Sequence, residues 1–329
     1  MVLVAVAGGS SPTLGRSIVT AILATGKHEG VILSRKRLDA TEAPASLYGA
    51  PVIYVDYGSK EQLASALKDV HTLISVLKIA DPKDMINQHL NLLEACIAAN
   101  VSRFAPSDWS LGPLSHSQVD LLANKDELWK VCAHVAEKYG IACADFQTGG
   151  FMNYFAQGKT FTSEKDKEFA LGGLEDDLML EYIDIPNGKL AIPLGASGQP
   201  SKITMTHLDD VGKFVAAAVD LPLQVWQGHL GIAGDSFSFE EAAELLEGKK
   251  VHVDRQTLLV QQCDQRIESY DDELANHFSI KALKGKMVAQ MMKVQCGGQV
   301  GGAIVAATLN ELCPSLNPIT IREYINSVY

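Results

Sequence analysis

Positive charge is scarce in this sequence: 28 Lys and Arg stand against 39 Asp and Glu in 329 residues, a formal net charge of −11. A duplex-binding surface needs clustered cations to neutralise phosphates, so nucleic acid is excluded as the main partner. An anionic membrane leaflet repels such a chain for the same reason. Paired cysteines are also absent. Cys96, Cys132, Cys143, Cys263, Cys296 and Cys313 are scattered, with no Cys-x-x-Cys and no His pair at metal-ligand spacing. That pattern speaks against a disulfide scaffold and a metal centre, and for thiols in a reducing compartment. No apolar run approaches the roughly 20 residues of a membrane span. Met1 to Ala7 has no basic segment and runs directly into glycines. It reads as a strand and not a signal peptide, and the cytosol is the expected location. What the chain does have is apolar mass, 47% of its residues, which excludes disorder and supplies a sizeable core.

That mass is arranged as alternating strand and helix patterns over the first 105 residues. Apolar runs at Leu3–Ala7, Val31–Leu33, Val52–Val55, His71–Leu77 and from Arg103 are separated by helical patterns at Ser17–Thr25, Lys60–Lys68 and Met85–Ala99. Such alternation predicts an α/β fold, a Rossmann-type doubly wound parallel sheet. Lys125–Lys138 reads as a further helix and Cys143–Phe146 as a sixth strand. Beyond Phe151 the regularity fades. The acid-rich stretch Glu164–Asp184 is expected to loop out, helices are expected at Asp209–Asp220 and Phe239–Leu246, and Gly297, Gly298, Gly301 and Gly302 interrupt the last third. The expected division is a dinucleotide-binding domain over 1–155 and a smaller, mainly substrate-binding lobe over 156–329, some of whose segments return to the sheet. Oligomeric state is not legible.

Between the first strand and first helix the chain reads Ala7-Gly8-Gly9-Ser10-Ser11-Pro12-Thr13-Leu14-Gly15-Arg16. A glycine-rich turn there lets backbone approach a pyrophosphate at the positive end of a helix. Gly9 suits the tight turn and Gly15 the close packing of helix on strand. The usual middle glycine is missing: Pro12 stands there, without an N–H to give. Also missing is the carboxylate that an NAD site places at the end of the second strand. The sequence has Ser34-Arg35-Lys36-Arg37 instead, a hydroxyl and guanidinium suited to a 2′-phosphate. Residues 1–60 carry 6 basic and 4 acidic side chains, a local excess of positive charge. The expected cofactor is NADPH/NADP+.

A Tyr and Lys four residues apart, as in many short-chain dehydrogenases, is absent as well: Tyr154 is followed by Gly158, with Lys159 one place late. The best candidate proton donor is Lys125, which opens a helix in Ala123-Asn124-Lys125-Asp126 and can polarise a carbonyl or hold an oxyanion. An ordinary solvated lysine is the alternative. His207 precedes a helix and could face a substrate, although an ordinary histidine beside a capping Thr206 or Asp209 is the plainer reading. Met287, Met291 and Met292 read as core more than pocket. The glycine cluster either wraps a substrate or turns the chain.

The glycine turn, Ser34-Arg35, Val55-Asp56-Tyr57, Arg103-Phe104-Ala105-Pro106-Ser107-Asp108-Trp109, Lys125 and Gly150-Phe151-Met152-Asn153-Tyr154 occur in this order. Together they resemble the NmrA-like and isoflavone-reductase-like branch of atypical short-chain dehydrogenases, particularly its fungal members. The resemblance spans essentially the whole chain, with specific motifs mainly in residues 1–155. It implies a catalytic lysine at Lys125. It implies that Gly9, Ser10, Ser11, Thr13, Leu14 and Gly15 hold the pyrophosphate and Ser34 and Arg35 the 2′-phosphate. Asp56 and Tyr57 would border the adenine and Leu77 and Lys78 the ribose, while Phe151 and Asn153 would shape the nicotinamide side, and Ser107 would be a further cofactor contact. Trp109, Met152 and His207 are the substrate candidates. The expected activity is NADPH-dependent reduction of a small apolar metabolite at an activated C=C or C=O. A non-redox isomerase, dehydratase or cyclase remains open, as does an NADP-sensing regulator that binds a protein partner; regulators of that type tend to lack the lysine.

Overall fold

The computed structural model describes residues 1–35, 45–79, 81–174, 182–277 and 279–329. Lys36 and Arg37, and part of the acid-rich stretch, lie outside them. Strands β1 (Leu3–Ala7), β2 (Glu29–Arg35), β3 (Ser46–Leu47), β4 (Ala50–Val55), β5 (Val70–Ser75), β6 (Arg103–Ala105) and β7 (Ala142–Gln147) alternate with helices α1 (Leu14–Ala24), α2 (Lys60–Ala66), α3 (Pro82–Ala98) and α4 (Ala123–Tyr139). The two-residue β3 folds back antiparallel on β4. The remaining pairings in this sheet are parallel.

Continuous apolar strands need cover on both faces, and the side-chain alternation of β1 shows how it is supplied. Val4 and Val6 join Ile18, Val19 and Ile22 of α1 in one buried cluster. Ala5 and Ala7 join Leu63, Leu92, Leu93 and Leu128 from α2, α3 and α4 in another. With a later strand, β12 (Gly228–Gly231), at one edge, the sheet order is β12-β7-β6-β5-β1-β2-β4-β3. It reverses direction at β1, so the crevice beyond Ala7 and Ser75 is the topological switch point where such sheets bind ligands.

The second half contributes to this sheet and also builds a layer of its own. After β8 (Gly150–Phe151) come α5 (Glu164–Leu171), β9 (Ile183–Asp184), β10 (Lys189–Pro193), β11 (Lys202–Thr206), α6 (Leu208–Asp220), β12 (Gly228–Gly231) and β13 (Asp235–Ser238). These are followed by α7 (Phe239–Gly248), β14 (Asp254–Leu258), α8 (Val260–Asn276), α9 (Ile280–Gly297), α10 (Thr308–Leu312) and α11 (Ile321–Val328). Helix α6 returns to cover α1, and β12 pairs with β7 at the sheet's edge. The α1–α6 contact is close: a Cβ on Gly212 would lie 2.3 Å from the Ser17 carbonyl oxygen. Two three-stranded sheets, β14-β10-β9 and β13-β11-β8, pack with α7, α9 and α11 around a third apolar cluster.

One expectation is corrected here, one holds, and one open choice is decided. The acid-rich stretch opens as a helix, α5, capped by the Ser163 hydroxyl and closed by left-handed Gly172. Met292 is buried in the third cluster with Met287 and Met291 packed against it, so that stripe is core. The glycine cluster turns the chain: Gly298 ends α9, and the Gly301 and Gly302 carbonyls accept from Leu114 and Gly112. A Cβ on Gly112 would lie 2.2 Å from the Gly301 oxygen, and Gly301 itself takes φ +83°, so each position requires glycine for its own reason.

Candidate cofactor and active site

The turn after β1 is held from below. Gly8 takes φ +77°, and its N–H donates to the Leu33 carbonyl and to the Tyr57 hydroxyl, at 2.9 and 3.0 Å. Tyr57 in turn donates to the Leu33 carbonyl at 2.9 Å. Gly15 packs directly on Gly9, where an added Cβ would stand 2.6 Å from its carbonyl oxygen. Among the described residues, no acceptor takes the backbone N–H of Leu14 or Gly15. Two donors at the positive end of α1 are therefore free for an anion. The Ser11 and Thr13 hydroxyls bond each other at 2.9 Å.

Pro12 faces the C-terminal half. A Cβ on Gly173 would lie 2.3 Å from the Pro12 carbonyl oxygen, so this stretch of backbone lies against the turn. Arg16 fastens the arrangement: its Nε donates to the Pro12 carbonyl, and its guanidinium pairs with Glu168 at 2.6 Å and Asp209 at 3.5 Å. Sequence reading passed over Arg16 because its partners are 152 and 193 residues away.

At the end of β2, the Ser34 hydroxyl meets the Ser10 hydroxyl at 3.0 Å, joining the two regions expected to bind phosphate. Arg35 is exposed and makes no ion pair among the described residues. Asp56 lies on the rim, accepting from Gly58 N–H at 2.8 Å. Leu77 closes the other side, its Cδ2 within 3.2 Å of where a Gly8 Cβ would be, and Lys78 is exposed beyond it. Tyr57 is 2% exposed, and burial pushes its phenol well above the ordinary range. It supports the turn from beneath.

Lys125, in the first turn of α4, reaches the loop after β6. Its ammonium donates to the Ser107 and Asp108 carbonyls at 3.0 and 2.6 Å. An ammonium has three protons, so one stays available. Burial lowers its pKa from the usual lysine value, against the opposing charges of Asp108 and Asp145. Ser107 is buried, and its N–H donates to Nε2 of His89 at 3.3 Å. The Ser75 hydroxyl donates to the same nitrogen at 2.9 Å, while Nδ1–H donates to the Met85 carbonyl at 2.7 Å. His89 thus joins Lys125's loop to the end of β5. Nothing in the sequence singled it out.

Burial, reinforced by the Lys125 charge, lowers the His89 pKa from 6.5 to about 4. Between these values the unfolded chain binds a proton that the native state refuses. The contribution is fully present above pH 6.5 and is lost as pH falls towards 4, at most about 3 kcal/mol. His89→Gln should flatten the rise of Tm with pH across that window; parallel Tm curves for both proteins would contradict this account.

The substrate candidates are placed in the core. Trp109 is 8% exposed, stacks on Phe146 at 5.2 Å and donates its indole N–H to the Ser75 carbonyl. Met152 is fully buried in the third apolar cluster. His207 is fully buried too, with Nδ1 accepting from Asp209 N–H as the cap of α6 and Nε2–H donating to the Phe169 carbonyl. Both ring nitrogens are spent, and burial lowers its pKa, keeping it neutral. Asn153 is equally enclosed, its amide donating to the Ala170 carbonyl and accepting from Leu208 N–H. All four assemble the scaffold around the site. Phe151 is half-buried, its ring 6.3 Å from that of Tyr154.

Among the described residues no helix is long and apolar enough to cross a membrane. Comparison with known proteins agrees with the fold. Over 250 residues, 74% of this chain and 75% of the relative, the sequence is 30% identical to Oxidoreductase BOA1 of Botryotinia fuckeliana. A crystal structure of isoflavone reductase superposes with a TM-score of 0.71 at 20% identity, covering 99% of each chain. The structure of AtPrR2 with NADP+ and (+)pinoresinol gives 0.71 at 18% identity, covering 100% of this chain and 99% of that one. Residues 2–325 match the model of the NmrA-like family, and the chain belongs to that family.

Proposed function

We propose that this oxidoreductase is an NADPH-dependent reductase of a small, largely apolar metabolite, with the cofactor held by residues 1–155 and most of the substrate lobe supplied by 156–329. The observation that carries the reading is Lys125: a desolvated ammonium anchored to two carbonyls with a third N–H unspent, joined through Ser107 and His89 to the switch-point strand β5. The name of the B. fuckeliana relative and the NADP+ and pinoresinol of the AtPrR2 complex support it.

The residues fit such a cofactor. The free N–H groups of Leu14 and Gly15, with the hydroxyls of Ser10, Ser11 and Thr13, would hold a pyrophosphate beside Gly9. Ser34 and the exposed Arg35 would hold a 2′-phosphate. Leu77 and Lys78 would flank the ribose, Asp56 the adenine rim, and Ser107 and Phe151 the nicotinamide side. Bound there, NADPH supplies the hydride. Lys125 then donates its third N–H to the substrate oxygen that gains charge, and its lowered pKa eases transfer of that proton.

The test is NADPH oxidation with a panel of apolar quinones and α,β-unsaturated ketones. Loss of dihydronicotinamide absorbance in step with product is expected. Product without that loss would overturn the redox reading in favour of an isomerase, dehydratase or cyclase. Arg35→Ala should weaken NADPH binding about tenfold and leave NADH unaffected, as measured by titration calorimetry.

A further inference from the structure

Behind Lys125 lies a set of charged side chains that this mechanism does not use. His116 sits in the short 3-10 helix Pro113–Gln118 and is 1% exposed. Its Nδ1 lies 2.7 Å from Oδ1 of Asp126, the residue after Lys125. Its Nε2 lies 3.0 Å from the Ser110 hydroxyl and 3.6 Å from Oδ2 of Asp108. Ser110 has one proton, and its close contact with Asp108 Oδ1 requires that proton there, because a carboxylate can only accept. The Ser110 oxygen must then accept from Nε2–H, while Asp126 accepts from Nδ1–H. Both ring nitrogens donate, so His116 is an imidazolium between two carboxylates.

The same two stretches meet twice. Asp108's main-chain oxygen takes the Lys125 ammonium, and Asp108's side chain returns through His116 to Asp126. Helix α4 needs such a brace, since Leu122 at its start offers no side-chain cap. We infer that His116 is a positioning residue for Lys125, bridging Asp108 and Asp126 so that the Ser107–Asp108 carbonyls hold the ammonium in place and the charge around it stays balanced.

The groups facing the bridge agree. From the β6 loop come Asp108 and Ser110, from α4 Asp126 and Lys125, and from β7 and β12 the pair Asp145 and His229, with Nδ1 of His229 2.9 Å from both Asp145 oxygens. Helix α9 also packs on the 3-10 helix, but its Lys286 is engaged by Asp120 and Asp271 at 2.6 Å. Although burial opposes it, the two carboxylates raise the His116 pKa, and His116 with Lys125 lowers that of Asp108.

The inference rests on the proposed role of Lys125, so its test reads the amine directly. Full-length protein carrying ε-13C lysine is titrated by NMR, with the Lys125 resonance assigned by its absence in Lys125→Met. In His116→Gln the unbalanced carboxylates should raise the Lys125 midpoint by about one pH unit, and in Asp108→Asn it should fall by a similar amount. Asp126→Asn, at a half-exposed position, loosens the bridge from its solvent side and should also lower the midpoint, which keeps the test decisive if His116→Gln does not fold. An unchanged midpoint in the folded variants, or shifts of the same sign in His116→Gln and Asp108→Asn, would overturn the inference. With a turned-over substrate, kcat should fall in His116→Gln while KM holds. Full turnover by Lys125→Met would overturn the catalytic reading alone, leaving the amine titration to judge the bridge.

Discussion

Lys125→Met should lower kcat by about two to four orders of magnitude while NADPH binds within about twofold of the wild type. The unbranched methionine keeps the side chain out to Cε and removes the ammonium, charge and donors together. Two of the three ammonium protons are committed to the Ser107 and Asp108 carbonyls, so the substitution deletes both the anchor and the one proton left for chemistry. The pyrophosphate donors at Leu14 and Gly15 and the phosphate-facing Arg35 lie on other elements, so cofactor affinity should survive. Stopped-flow NADPH oxidation beside equilibrium titration separates the effects. Because burial lowers the Lys125 pKa, wild-type kcat should also decline at alkaline pH through a midpoint below the usual lysine value of 10.5. Undiminished turnover in the methionine variant would remove the lysine from the mechanism.

Gly15→Val carries the second large effect, and it acts on the fold before the cofactor. An added Cβ at Gly15 would meet Gly9 backbone at 2.6 Å from the oxygen and 2.7 Å from the carbon, neither of which is the end of a flexible side chain. Helix α1 must withdraw from the turn, yet it is clamped behind by α6, where Ser17 donates to the Leu208 carbonyl and Gly212 meets Ser17 backbone. Overpacking between two fixed elements costs on the order of 3 kcal/mol or more. A lowered Tm and a loss of NADPH binding of at least about tenfold are expected together. Withdrawal moves the two free N–H groups away from the anion they would share. A variant with wild-type Tm and affinity would show that the turn is not braced in this way.

The central sheet was legible because its strands are buried on both faces and bounded by glycines and helical patterns. Leu3–Ala7 was placed to the residue and the strand at Arg103 by its start, and α1 begins at Leu14, three residues ahead of its apolar pattern. The second half was least legible at its shortest strands. β8 and β9 have two residues each, too few for alternation to register. Helix α8 buries only Cys263, so its apolar face is too thin to stand out.

For the site, local rules reached what local geometry governs. Gly9 and Gly15 were set by the strand-to-helix turn, Ser34 and Arg35 by their distance from it, and Lys125 by its place at a helix start. Which side chains face a ligand and which face the core was decided only by tertiary packing. Tyr57, Trp109, Asn153 and His207 were expected at a ligand, yet each is turned inward with its polar atoms engaged by backbone, and Met152 is buried in the third apolar cluster. His116 and His89 carried no motif at all. Their roles exist only because the fold brings Asp108, Asp126, Ser75 and Ser107 to them, and a buried polar group takes its function from the partners that satisfy it.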